Sequence, residues 1–306
     1  MQMLLLYKQG KKDAQVFEIT FDMTLREFDK IFINWVKKNI FAKMNVFPTV
    51  SKKNLDNLKD VIVEKPKDID SYVKLAIGYF KLGKFLDAQI YAAKLLKLAP
   101  KKSVAYDIFG RIAYYKGNYK KSKKMLEKAV KLGSKNFYTN LTLGKIYWKH
   151  DKNILKAIQF FQRAKKSYPS YVDKSNPYQI LALLYKTIGK KQKAYEELES
   201  YLKLNGKDFK TRLNLGKEYF EQKKYTKSLT LLEQAQDIYP LSLNLQNLLA
   251  KNYEHKKDWN NAIRAYNTIL GMNPKKNKHE IYAKLALIYL KQNKIEKTRK
   301  HTHKYL

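Results

Sequence analysis

The sequence predicts an all-α chain, a solenoid of two-helix repeats. Three observations predict it: paired short amphipathic helices, a fixed period, and a breaker closing most periods. Residues Asp208–Pro240 show the unit. Its first helix carries Leu213, Leu215, Gly216, Tyr219 and Phe220, and its second carries Leu229, Leu232, Ala235 and Ile238, both at helical spacing. Lys223 and Lys224 mark the polar turn between them, and Pro240 stops the second helix. Helices of about a dozen residues are marginal alone in water. This pair therefore needs neighbours, and the chain supplies copies.

Aligned on Gly216, a column of small residues holds Ala76, Gly110, Gly144, Ala182, Gly216, Ala250 and Ala286, at steps of 34, 34, 38, 34, 34 and 36 residues. The preceding position is Leu or Phe throughout. Three residues after the small column stand Tyr79, Ala113, Tyr147, Tyr185, Tyr219, Tyr253 and Tyr289. A second small column follows in the partner helix: Ala88, Ser122, Ala157, Ala194, Ser228, Ala262 and Thr298. Closing breakers fall at Pro100, Pro169, Gly206, Pro240 and Pro274. Such coincidence of period and columns is far more specific than any short motif.

The pattern resembles the tetratricopeptide repeat (TPR) family over residues 69–306, as seven units. The resemblance implies a right-handed α-solenoid of helix-turn-helix repeats. Departures are local: Ala113 stands for the usual Tyr, Ser134 and Gly206 for the closing Pro, and one residue is added between Tyr147 and Ala157. The connection Ser170–Ser175 is about three residues long in excess and Lys275–Lys278 about two. Extra length at turns costs little.

Ahead of the repeats, residues 1–50 form a separate helical segment. Thr24 with Glu27 makes a capping box, and Phe28, Ile31, Phe32, Trp35 and Val36 then share one face; a shorter helix around Ala14–Thr20 leads into it. The run from Leu5 through Phe21, Met23, Thr24, Leu25, Glu27, Phe28, Asp29 and Phe32 to Trp35 is similar to the C-terminal tail of gluzincin-type metallopeptidases that carry TPR arrays, with Asp22 where Gly is usual. Residues 51–68 read as a capping half-repeat. There Asn54–Pro66 turns Leu55, Leu58, Val61 and Ile62 inward, and the helix opened by Thr24 replaces the lost first half. The array thus has an N-terminal helical cap. Ile295–Leu306 is the last outer helix, with the polar face a terminal repeat needs.

Composition and motifs argue against catalysis by this chain. Cysteine is absent, so no disulfide framework or thiolate metal site is expected. A gluzincin needs two His one helical turn apart with a Glu between them. His150, His255, His279, His301 and His303 do not form that spacing. No glycine-rich phosphate loop occurs, and no cofactor is expected. No apolar run reaches a membrane span, and the chain reads as soluble and cytoplasmic. The formal charge is +36, yet only Arg26, Arg111, Arg163, Arg212, Arg264 and Arg299 are arginines among the 63 basic residues. Lysine spread over every turn reads as a solvated surface with weak, salt-sensitive polyanion binding, not as the guanidinium-rich face of a specific nucleic-acid reader.

Function must then lie on a surface. In TPR arrays the first helices line the concave side, where the family binds peptide segments. Three pairs there set a cation three residues from an aromatic: Arg111 with Tyr114, Lys145 with Trp148, and Lys217 with Phe220, with Lys251 continuing the cation column. These predict a groove for an acidic and apolar peptide segment, with Trp148 as anchor. The carboxylate clamp of some TPR proteins is not expected, because Asp107 and Arg111 stand where Lys and Asn would be wanted. The leading reading is a non-catalytic scaffold for protein–protein interaction. The alternatives are the C-terminal, non-catalytic part of a TPR-bearing metallopeptidase and a helical-repeat RNA binder.

Overall fold

In the computed structural model, residues 2–40, 52–272 and 278–305 are described. The closing Pro274 and most of the lengthened turn after it lie outside these residues. Among the described residues there are eighteen α-helices. Three precede the repeats: Gln2–Lys8 (α1), Asp13–Phe21 (α2) and Leu25–Asn39 (α3). Lys52–Glu64 (α4) follows. Paired helices come next: Ile69–Lys81 (α5) with Phe85–Leu98 (α6), Ser103–Tyr115 (α7) with Tyr119–Lys131 (α8), and Phe137–Lys149 (α9) with Ile154–Ser167 (α10). After them come Pro177–Thr187 (α11) with Lys191–Leu204 (α12), and Phe209–Glu221 (α13) with Tyr225–Ile238 (α14). Leu243–His255 (α15) with Trp259–Gly271 (α16), and Lys278–Lys291 (α17) with Ile295–Tyr305 (α18), complete the chain. Seven helix pairs thus follow α4 among the described residues. The chain divides into two compact units, Met1–Leu184 and Tyr185–Leu306, each a stack of helical pairs as in α-solenoids.

The small columns are where helices touch. A Cβ built on Gly110 would lie 2.6 Å from Leu126, on Gly144 3.0 Å from Phe161, and on Gly216 2.8 Å from Leu232. Larger side chains at these positions must push a neighbouring helix away. In the second column Ala88, Ser122, Ala157, Ala194, Ser228 and Ala262 are fully buried, and the Ser228 hydroxyl donates to the Gly216 carbonyl at 2.7 Å. Around these contacts the cores close. Leu55 of α4 is buried with Leu75, Leu95 and Ile108 in the first unit, while Leu58 and Ile62 pack beside them. Leu232, Leu249, Ile269 and Leu285 anchor the second.

Helix starts follow side-chain chemistry. Asp68, Asn118, Asn136, Asn153, Asp208, Ser242 and Asp258 each cap a helix by accepting a backbone N–H. The turn between paired helices puts one residue in the left-handed region: Gly83, Gly117 and Gly189 in three units, but Lys152, Lys223, Lys257 and Asn293 in the others. Those side chains bear the steric cost that glycine avoids.

The tyrosine column also carries bonds between successive pairs. Tyr147 donates to Glu127, Tyr219 to Glu199 at 2.5 Å and Tyr253 to Glu233 at 2.9 Å, each across 20 residues. Burial, then the carboxylate partner, raises these phenols above their ordinary value.

The N-terminal helices differ from the repeats. The capping box forms, with the Thr24 N–H donating to Glu27 at 2.8 Å. Phe17, Phe21, Phe28 and Phe32 adjoin one another in a run of ring contacts. Yet α3 buries none of its side chains, and Ile31, Phe32 and Trp35 are each about half exposed. A repeat helix in the place of a lost first half would be covered. The capping contacts visible on the core come instead from α4.

Candidate functional site

The expected groove residues occupy different surroundings. Arg111 is buried. Its guanidinium lies 4.3 Å from the Phe80 ring centre and 4.8 Å from that of Tyr138, with a nitrogen 3.6 Å from Asp107 Oδ2. Asp107 is fully buried. It accepts from the Thr139 hydroxyl, and burial pushes its carboxyl up despite the arginine. Thus α5, α7 and α9 together hold one arginine, with rings supplying the cation–π faces.

Tyr114 is half-buried and packs edge-on against Tyr119 at 5.5 Å. Lys145, also half-buried, has its ammonium depressed by burial and then by Lys149. The Trp148 ring meets Phe161 edge-on at 6.4 Å and carries the Lys149 ammonium at 5.4 Å. In the second unit Lys217 is exposed and lies 3.9 Å from Glu221. Phe220 packs on Tyr225 and His255, each at 5.5 Å, and Lys251 is exposed. The three-residue spacing shares a face within each pair. The partners of the rings are nevertheless fixed by stacking between successive helices.

Arg111, Tyr114 and Lys145 do come together, around a cavity of about 190 Å³ in the first unit. Tyr115, Tyr138, Leu141 and Thr142 complete its α7 and α9 walls, and Tyr171 and Lys174 close it from the connection after α10. Local chemistry fixes these walls. Asn136 Oδ1 accepts from the N–H groups of Tyr138 and Thr139 at 2.9 and 3.3 Å, which sets the start of α9. The connection is pinned at both ends. The Tyr171 ring sits 4.7 Å from that of Phe137, the Tyr178 hydroxyl donates to the Pro169 carbonyl at 2.6 Å, and Asn176 caps the next helix. Ser170–Ser175 is more than extra length at a turn. Two wall residues of the cavity come from it, and the signal was there: an insertion carrying Tyr171 and Lys174 next to a tyrosine-rich helix.

None of the lining residues is acidic. The acids that adjoin the cavity, Asp107 under Arg111 and Asp173 beside Tyr171, do not line it. Burial and the charge of Arg111 depress the Lys81 ammonium as well. The second unit holds a larger cavity of about 740 Å³ with opposite character. Lys186 there is paired with Glu218, Glu221 also lines it, and Gln222 donates to the Tyr195 hydroxyl at 2.9 Å. Among the described residues no group of three or more His, Asp or Glu stands ready to hold a metal ion. No described helix is long and apolar enough to cross a membrane.

Two family models described as tetratricopeptide repeat match the chain, one over residues 109–172 and 213–277 and the other over 175–208. Together they cover more than half of it, and the chain belongs to the TPR family, whose members typically act as scaffolds for protein interaction. Among solved structures, YrrB, described as a TPR protein with an unusual peptide-binding site, is 22% identical, over 62% of this chain and 96% of its own, at a TM-score of 0.47. The C-terminal part of a TPR repeat-containing protein from Cytophaga hutchinsonii is 18% identical, over 74% and 92%, at 0.47. PilF of Pseudomonas aeruginosa is 18% identical, over 68% and 93%, at 0.42. At these identities the likeness is one of fold. No curated protein matches the chain.

Proposed function

We propose that this chain is a non-catalytic, cytoplasmic TPR scaffold that binds an acidic and apolar peptide segment of a protein partner along the first helices of its units. The observation that carries this reading is the cavity of the first unit, where Arg111, Lys145 and Lys174 converge among tyrosines and no carboxylate lines the wall. Acidic groups of the segment meet these cations, and apolar side chains lie on the neighbouring rings, with Trp148 as the anchor. The test is an array of acidic, neutral and basic peptides bearing aromatic and aliphatic residues. It is probed with the wild type and with Trp148→Ala/Lys145→Glu, both checked for helical circular dichroism. The wild type should select the acidic, apolar peptides and the double variant should lose them. A folded variant that keeps the same selection removes this face as the binding site.

A second reading rests on α3, where the Thr24–Glu27 capping box forms and the apolar face stays uncovered. Such a face suits a helix at the end of another domain, in line with the metallopeptidase-tail resemblance. Sequencing the DNA upstream of the Met1 codon tests it. An in-frame helix with two His flanking a Glu supports the peptidase reading, and a stop codon without one removes it.

A further inference from the structure

We propose that the cavity walled by α7, α9 and the Tyr171–Lys174 connection is a receptor for a phosphoryl group carried on a side chain of the bound peptide. This rests on the scaffold reading above and narrows it to one subsite and one chemistry.

The first argument is charge. Three cations line the cavity and no acid does. A single carboxylate brings one negative charge, whereas a phosphate monoester brings about 1.5 to 2 at neutral pH. Lys145 is already depressed by burial and by Lys149, and Lys81 by burial and by Arg111. Cations crowded in this way gain most from a dianion.

Donor count and shape agree. Besides the cations, Thr142 and four tyrosines, all hydroxyl-bearing, line the space. Three terminal phosphoryl oxygens can use that many donors, and two carboxylate oxygens cannot. Arg111 is held between two rings with Asp107 beneath it. A guanidinium fixed in one plane is a rigid fork of donors, the geometry that suits phosphate oxygens. A helical-repeat RNA reader would instead need a basic track with stacking platforms spaced along a strand. Here the cations and rings close on one small space of about 190 Å³, which suits a single side chain.

The probes are phenyl phosphate, benzoate and a mixed-sequence single-stranded RNA. They are titrated calorimetrically into the full chain and into Lys174→Ala and Tyr171→Phe. Lys174 is exposed, so its truncation leaves the fold intact, and circular dichroism checks both variants. Phenyl phosphate should bind at least about tenfold more tightly than benzoate, and Lys174→Ala should weaken it at least about fivefold. Equal affinity for the two small anions, no binding of phenyl phosphate, or binding indifferent to both variants overturns the phosphoryl receptor. The peptide-array selection can still succeed in those cases, so the two proposals fail separately. RNA that binds more tightly than phenyl phosphate and loses as much in Lys174→Ala also overturns it, in favour of a nucleic-acid contact.

Discussion

Two cavities of this chain teach opposite lessons about basic residues. The larger, in the second unit, has its Lys186 paired with Glu218 and its tyrosine hydroxyl taken by Gln222. The smaller, in the first unit, gathers arginine and lysine with no acid in its wall. The buried arginines repeat the contrast. Arg212 donates to the carbonyls of Leu202, Asn205 and Asp208 and to Gln234, so its N–H groups close a turn. Arg111 is clamped between rings at a cavity wall. In a protein of charge +36, neither cavity size nor the presence of a cation marks a binding site. The local match between cations and acids is what sets the two cavities apart.

The largest effect tests what the two units share. Gly144→Leu and Gly216→Leu should each lose about 1–3 kcal/mol in urea unfolding through overpacking at the helix contact. Lys145→Leu should lose far less. Equal losses for Gly144→Leu and Lys145→Leu would refute the repeat register.

Next comes the structural arginine. Arg212→Gln should cost about 2 kcal/mol of stability, because it strands carbonyls that accept from a charged donor, yet leave phenyl phosphate affinity unchanged. A loss of anion affinity would erase the contrast with Arg111.

Charge reversal sharpens the comparison directly. Lys145→Glu should weaken an acidic peptide selected on the array at least about tenfold, which is about 1.4 kcal/mol. Lys191→Glu, at the wall of the second cavity, should change it less than about twofold. Similar losses would show that net charge alone drives binding.

Alkaline titration probes the wall of the second cavity. Burial, then the bond to Glu218, pushes the Tyr195 phenol up to about 12. The neutral phenol is the form the fold favours, so its contribution is fully present below about pH 10, the ordinary value, and is lost as pH rises towards 12. Tyr195→Phe should flatten the fall of stability across that window in urea melts. An unchanged slope would remove Tyr195 as its source.

The smallest expected change is a gain. Lys223→Gly relieves a left-handed lysine at φ 59 and should add about 0.5–1 kcal/mol. Gly117→Ala, at the matching turn of the first unit, should lose a similar amount. Equal melting points for Lys223→Gly and the wild type would show that the lysine is unstrained.

The repeat frame was legible in the sequence because a period of about 34 residues repeats one packing problem. Gly110, Gly144 and Gly216 announce close helix contacts by their size alone, and the Thr24–Glu27 capping box announces a helix start. The cavity was legible only in part. Arg111, Tyr114 and Lys145 stand in readable columns, but Tyr138, Tyr171 and Lys174 arrive from the next helix and from an insertion, and no column predicts them. Spacing within one helix says which side chains share a face. Which ring covers which cation depends on the next pair, as Arg111 between Phe80 and Tyr138 shows. The N-terminal helices misled for a related reason. An apolar stripe signals a partner without saying where that partner lies, and α3 leaves its stripe open.

The phenol-to-carboxylate bonds have a genetic consequence. Three junctions carry such a bond at an offset of 20 residues, and the α13–α14 pair has both ends of it: Tyr219 reaches back to the preceding pair and Glu233 receives from the following one. The ends do not coincide everywhere: Ala113 has Ala93 at that offset, while Tyr79, Tyr185 and Tyr289 have Lys59, Lys165 and Ile269. A duplication of the α13–α14 period therefore copies a donor and an acceptor in phase. The enlarged gene encodes a chain whose new junction is already bonded on both sides. Unequal crossing-over at other lengths leaves a phenol and a carboxylate without each other. At this unit the array can lengthen or shorten by one repeat while its junctions stay matched.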